Sequence, residues 1–249
     1  MQIERASKRA AALLLLTLAG CAVDDDPSAE VVEHRHHHSP IFDDHARPLG
    51  ISMDRWGELA WKWIFSQPAA TNPLLDQTGV NCGVGQNGPV WFLPSIMPTS
   101  TPFTAERSCT IPRHKMLLVQ TSTYINDFPC PDPAFHPAPG QSLYDFLLEG
   151  AAAFIDTVNL LEVSIDGVPQ PDMLDYRYTS RNLFSIKGDL SLQAAVDGCI
   201  TGNYQPAITD GYLFMVKPLP PGQHTLVWHL TDTFGMTGDT TLTYHLTVQ

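Results

Sequence analysis

Two stretches near the C-terminus, TLVWHLT (225–231) and TLTYHLTV (241–248), decide the fold class. In each, alternate residues are large and apolar: Leu226, Trp228 and Leu230 in the first, Leu242, Tyr244 and Leu246 in the second. A period of two marks a strand with one buried face, and the glycines between the stretches supply a turn, so they form an antiparallel hairpin. Matching the apolar faces pairs Leu226 with Leu246, Trp228 with Tyr244 and Leu230 with Leu242. The outer face then carries His229 diagonal to His245, about 7 to 8 Å away. Two imidazoles at that spacing can share an ion or ligand if a third group, such as an acid or His224, joins them. The competing reading is a solvent-facing polar stripe.

The same period recurs upstream. Leu161, Val163 and Ile165 run into the turn Asp166-Gly167, Tyr176 to Ile186 is rich in aromatic and β-branched residues, and Gly211 to Val216 is a further strand. KMLLVQT (115–121) and VWFL (90–93) are buried strands, and Tyr124 to Pro139 is a proline-rich loop. Two segments have helical spacing instead. Trp56, Leu59, Ala60, Trp63 and Ile64 share one face of a helix over 53–66, with Ser52 as N-cap, Trp61 and Phe65 at the edge of the stripe, and Pro68 beyond its end. Ser142 and Asp145 open a second helix over 143–157. Short strands with Pro/Gly-rich turns and two helices predict a mainly β fold: a β-sandwich, Ig-like or jelly-roll-like, with two packed helices. Residues 51–249 are long enough for one domain with one sizeable core.

Gly83, Gly85 and Gly88 have the G-x-G-x-x-G spacing of a dinucleotide loop, but a polar run precedes them and Pro89 with a strand follows. Without the strand-loop-helix frame the spacing has no phosphate site to build, and the glycines serve a tight turn. Cys82, Cys109, Cys130 and Cys199 are an even set that permits three connectivities. The expected pairs are Cys82 with Cys109, which brackets one strand-loop-strand unit, and Cys130 with Cys199. No C-x-x-C spacing suggests redox catalysis or a zinc ribbon. Asp127, Cys130, Asp132 and His136 lie close in sequence and could be read as metal ligands, a reading that a disulfide at Cys130 removes.

The formal charge of −12, from 14 Lys+Arg against 26 Asp+Glu, disfavours nucleic acid as a partner. Residues 1–20 have a basic start (Arg5, Lys8, Arg9) and an apolar centre too short for a permanent membrane span, the pattern of an export signal. Residues 21–50 are acidic and poor in large apolar side chains, which predicts a disordered tether. Within it, His34, His36, His37 and His38 can bind divalent metal weakly, although nothing rigid fixes a coordination number.

The run Leu18-Ala19-Gly20-Cys21 resembles the lipobox of bacterial lipoproteins. The resemblance implies cleavage before Cys21, diacylglycerol on its sulfur, and anchoring to a membrane of the cell envelope. Ala22 in place of aspartate points to the outer membrane of a Gram-negative bacterium. The globular part also resembles an uncharacterised group of secreted bacterial proteins. Its pattern is carried here by Trp56, Trp61 and Trp63, then Asn72-Pro73, Thr78-Gly79, Cys82, Gly88 to Leu93, and Arg107, Cys109, Ile111 and Pro112. It implies no activity.

There is no G-x-S-x-G elbow, H-E-x-x-H helix or phosphate loop with its lysine. No cofactor is expected, and the oligomeric state is open. The expected function is a lipid-anchored, non-enzymatic module binding an extracellular glycan or small molecule, with Trp61, Phe65, His229 and His245 as candidate contacts. The alternatives are a secreted hydrolase with a carboxylate or histidine site between helix and sandwich, Glu149, Asp156, Asp166 and Asp210 being available acids, and an envelope scaffold. Two facing carboxylates with a raised pKa favour the hydrolase, and an exposed coplanar aromatic row favours glycan binding.

Overall fold

A computed structural model describes residues 39–233 and 238–249. The signal segment, Cys21, His34, His36, His37, His38 and most of the expected tether lie outside these residues.

The described chain contains helix α1 (Met53–Ser66), strands β1 (Val90–Leu93), β2 (Phe103–Ile111) and β3 (Met116–Asp127), then helix α2 (Leu143–Ile155). Strands β4 (Val158–Ile165), β5 (Val168–Gln170), β6 (Arg177–Thr179), β7 (Phe184–Lys187), β8 (Tyr204–Val216), β9 (Gly222–Asp232) and β10 (Asp239–Val248) follow. One sheet runs β1-β3-β8-β6, with β7 also on β8, and the other β2-β10-β9-β4-β5. Most pairs are antiparallel, but β1 runs parallel to β3 and β10 parallel to β2. The expected sandwich with two packed helices is what forms.

The alternating residues of both sheets meet in one core. Leu226, Trp228, Leu230, Leu242, Tyr244 and Leu246 face Leu117, Val119, Phe214 and Val216. Helix α1 covers the outer face of the first sheet, where Trp56 and Ala60 pack on Val90, Leu118, Leu213 and Met215. Helix α2 covers Ile208 with Leu147 and Ala151, and Phe154 stacks on Tyr124 at 4.1 Å between ring centroids. Its cap is the one expected, with the Ser142 hydroxyl accepting from the Asp145 N–H. Ser52 begins α1 without such a bond. A bulge between Gln120 and Ser122 shifts β3 against β8. Opposite it, Gly211 has φ 149°, and a Cβ there would lie 2.3 Å from the Ser122 carbonyl oxygen, so only glycine fits.

Several expectations need correction. The hairpin keeps the expected core face but slips by two residues: Leu226 pairs with Tyr244, Trp228 with Leu242 and Leu230 with Thr240. Alternation cannot distinguish registers two residues apart, because both present the same side chains to the core. Strand β3 continues through Asp127, so the loop begins later than Tyr124. Residues 39–50 are not tether: Ile41 is buried and bridges Val216, and Phe42 N–H donates to the Met215 carbonyl at 2.9 Å. Two apolar residues in an acidic stretch suffice to dock it.

Strand β2 alternates buried and exposed residues perfectly, yet Arg107 occupies one of its buried positions. Its guanidinium donates to the carbonyls of Pro94 (3.0 Å) and Pro73 (2.6 Å) and to the Tyr244 hydroxyl (2.6 Å), tying the 73–95 segment to the second sheet. Both expected disulfides are present, Cys82–Cys109 beside this network and Cys130–Cys199 at the far end of β3.

Candidate functional site

Strand β3 is longer than its neighbour β1, which pairs only with Met116 to Val119. Proline at 94 cannot continue the ladder, and the chain turns off toward Leu74, whose carbonyl accepts from Met97 N–H at 3.1 Å. Residues 120–127 therefore have β8 on one side and, among the described residues, no strand on the other. A groove of about 410 Å³ follows that free edge. It is walled by α1 (Trp61, Ile64, Phe65), by residues 94–98, by the end of α2 and by the 196–199 segment. Its volume lies within the roughly 300–1,000 Å³ typical of small-ligand sites.

The outward-facing backbone groups follow from the ladder. Phe128 N–H donates to Pro206 at 3.0 Å, so the even residues 122, 124 and 126 turn toward β8. The odd residues Thr123, Ile125 and Asp127 then direct their N–H and C=O groups into the groove side. Among the described residues, no loop or side chain bonds to the backbone of Thr123 or Ile125 on that side.

At the end of this edge Asp127 is buried, and its carboxylate oxygens receive no hydrogen from another residue's N–H. Their neighbour is the half-buried carboxylate of Asp197, held in place by the Cys199 N–H at 2.9 Å. Burial, then the Asp197 charge and a hydrogen bond shared with it, push the Asp127 carboxyl up to about 7. Asp127 is therefore far harder to ionise than an ordinary carboxyl. The Cys130–Cys199 disulfide joins the segments that carry the two acids. Two further polar atoms in groove-lining residues, Trp61 Nε1 and Gln120 Oε1, are buried without partners.

The sequence-derived candidates divide. Trp61 and Phe65 meet edge-to-face at 5.5 Å in the groove wall, although they are buried there and form no exposed platform. All five tryptophans are buried, and the described residues hold no exposed coplanar aromatic row. His229 and His245 share the outer face of the second sheet but are not diagonal: His229 lies opposite Thr241, and His245 opposite Thr225. Each has its own acids. His229 contacts Asp239 (2.9 Å) and Glu162 (3.3 Å), and His245 contacts Glu106 (3.1 Å). His224 is engaged by Asp166 at 2.7 Å.

The carboxylates singled out from sequence do not face one another. Arg177 clamps the buried Asp210 through two bonds of 3.1 and 2.6 Å and reaches Asp156 at 2.7 Å, while Glu149 accepts from Gln141. Of the suggested metal set, Cys130 is in a disulfide, Asp132 accepts from the Ala134 N–H, and His136 bonds Pro137. Asp127 instead meets Asp197 beside Cys199, whose sulfur is spent in the disulfide and offers no thiolate. Asp197 was invisible as a partner, since nothing local links it to β3.

No family model matches the chain, and no curated protein matches it. Among solved structures, a chain from the structure of PbICP-C in complex with falcipain-2 is similar at 11% identity, over 64% of this chain and 98% of that one, with a TM-score of 0.26. A likeness of that size supports no statement about fold or function.

Proposed function

We propose that the protein is a binding module whose site is the groove along the free edge of β3, and that its guest is an elongated, largely apolar molecule with a positively charged end. The single observation that carries this reading is the groove itself, whose lining joins many apolar side chains to a few polar ones, with Asp127 and Asp197 side by side and Asp232 also in the lining. Asp197 is the reachable member, because the oxygens of Asp127 are sealed from solvent. A cation there would meet a fixed negative charge in a partly desolvated site, where the attraction is stronger than in water. A surface glycan platform has no support from the aromatic side chains, which are turned inward. Anchoring through a lipidated Cys21 belongs to the same proposal, on the strength of the lipobox alone.

The test is thermal unfolding in the presence of decylamine or decanol. A guest that binds only the folded state raises the melting temperature. The amine raises it in the wild type, the alcohol less so, and Asp197→Asn removes the difference. Absence of any shift with either compound overturns the reading.

A second reading, a hydrolase, is favoured by the close approach of the Asp127 and Asp197 carboxyls, with Asp127 pushed up to about 7, since paired acids of this kind can activate water. It ranks behind binding because a catalytic oxygen must touch substrate and those of Asp127 are closed off. A bell-shaped pH dependence of casein or aryl-glycoside hydrolysis, abolished by Asp127→Asn, would reverse the order.

A further inference from the structure

We infer that the natural guest is an extended polypeptide segment that adds to β3 as a strand, in line with β1, and places a lysine or arginine side chain at Asp197. This rests on the groove-binding reading above and deepens it.

Three observations carry it. First, the sheet is incomplete at this position: β1 covers four residues of β3, and beyond the bulge at Gln120–Ser122 the strand runs on to Asp127 with β8 on one side and, among the described residues, no strand on the other. Backbone donors and acceptors in a folded protein are nearly always paired, and Ile125 is buried, so an open ladder there is a built feature with a missing complement. Second, the outward groups are the N–H and C=O of Thr123 and Ile125 and the C=O of Asp127, spaced two residues apart. That is the repeat an added strand presents, and strand addition to an open edge is an established mode of peptide recognition. Rounded small molecules cannot satisfy such a row.

Third, acids stand where the edge ends. The groove lining carries Ile96, Met97 and Pro98 among its apolar residues, and Asp127, the last residue of β3, meets Asp197 there. A bound strand projects alternate side chains to opposite sides, so one face rests on α1 and one basic side chain reaches the acids. The chain's overall negative charge steers a basic segment toward it.

The experiment uses the full chain and three capped hexapeptides: Thr-Val-Thr-Val-Lys-Thr, its counterpart N-methylated at alternate residues, and the version with norleucine for lysine. N-methylation removes the ladder hydrogens and keeps the side chains. Binding is read by calorimetry, and the exchange of the Thr123 and Ile125 amides by NMR. The parent peptide binds and slows exchange of both amides at least tenfold; N-methylation weakens binding at least tenfold. Norleucine and Asp197→Asn each weaken it several-fold, and their combination weakens it no further.

Equal binding of the N-methylated peptide overturns strand addition while leaving the groove reading intact. So does a decylamine-dependent rise in melting temperature with no peptide binding. Slow exchange of the Thr123 and Ile125 amides in the unliganded full chain also overturns it, since the edge would then be covered by the chain itself or a second copy. No response to decylamine or to any peptide removes both readings.

Discussion

The carboxyl groups of Asp127 and Asp197 come within 4.8 Å of each other, one at the last residue of a core strand and the other in an irregular segment pinned by a disulfide. Ionising both groups so close together is disfavoured, and burial of Asp127 beside the Asp197 charge raises its pKa. That relationship makes stability depend on pH.

The Asp127 carboxyl titrates at about 7 in the folded protein and near 4 when unfolded. Between those values the folded state binds the extra proton. Its contribution is fully present below about pH 4 and is lost as pH rises through about 7, by at most about 1.4 kcal/mol per pH unit. Asp127→Asn imitates the protonated acid. Urea unfolding is expected to show the variant more stable than wild type at pH 8 and equal or slightly weaker at pH 4.5. A variant less stable at both values would mean that the acid does not carry a proton at neutral pH.

Arg177 neutralises Asp210, which is buried and also accepts from the Thr179 hydroxyl at 2.8 Å. Arg177→Met strands that carboxylate and is expected to cost about 3 to 5 kcal/mol. Asp156→Ala, on the same guanidinium but largely exposed, is expected to cost about 1 kcal/mol or less. Recovery of most of the loss in Arg177→Met/Asp210→Asn would identify the orphaned charge as its cause.

The Cys130–Cys199 link closes a span of 69 residues. Chain-entropy arguments give it about 4 kcal/mol, and somewhat less to Cys82–Cys109 with its span of 27. Replacing Cys130 and Cys199 together by serine is therefore expected to lower the denaturation midpoint more than the same change at Cys82 and Cys109. Non-reducing peptide maps check the pairs directly.

Palmitate incorporation in a bacterial host tests the N-terminal proposal. Labelling and membrane fractionation are expected to disappear in Cys21→Ser, and labelling that persists would reject the lipid anchor.

Local periodicity carried much of this architecture. The tryptophan stripe placed α1 at its observed bounds, and alternation at 226–230 and 242–246 chose the core face. It could not choose between registers two residues apart, which present the same side chains to the core. The bounds of strand β2 are hard to read because Arg107 and Ala105 occupy inward positions that a hydropathy pattern expects to be strongly apolar. The site was harder still. Trp61 and Phe65 were recognisable as an aromatic edge, but a groove arises where β1 stops short of β3, and a carboxylate pair forms only when the 190s segment is strapped across. Both are properties of contact between remote segments, and no window of sequence contains them.

Strand β10 lies between β2 and β9 and follows both in sequence. The second sheet is therefore closed by inserting a later strand between two earlier ones. Without residues 239–248, β2 has no ladder partner among the described residues and β9 keeps only β4. Loss of β10 would split the sheet in two instead of trimming an edge.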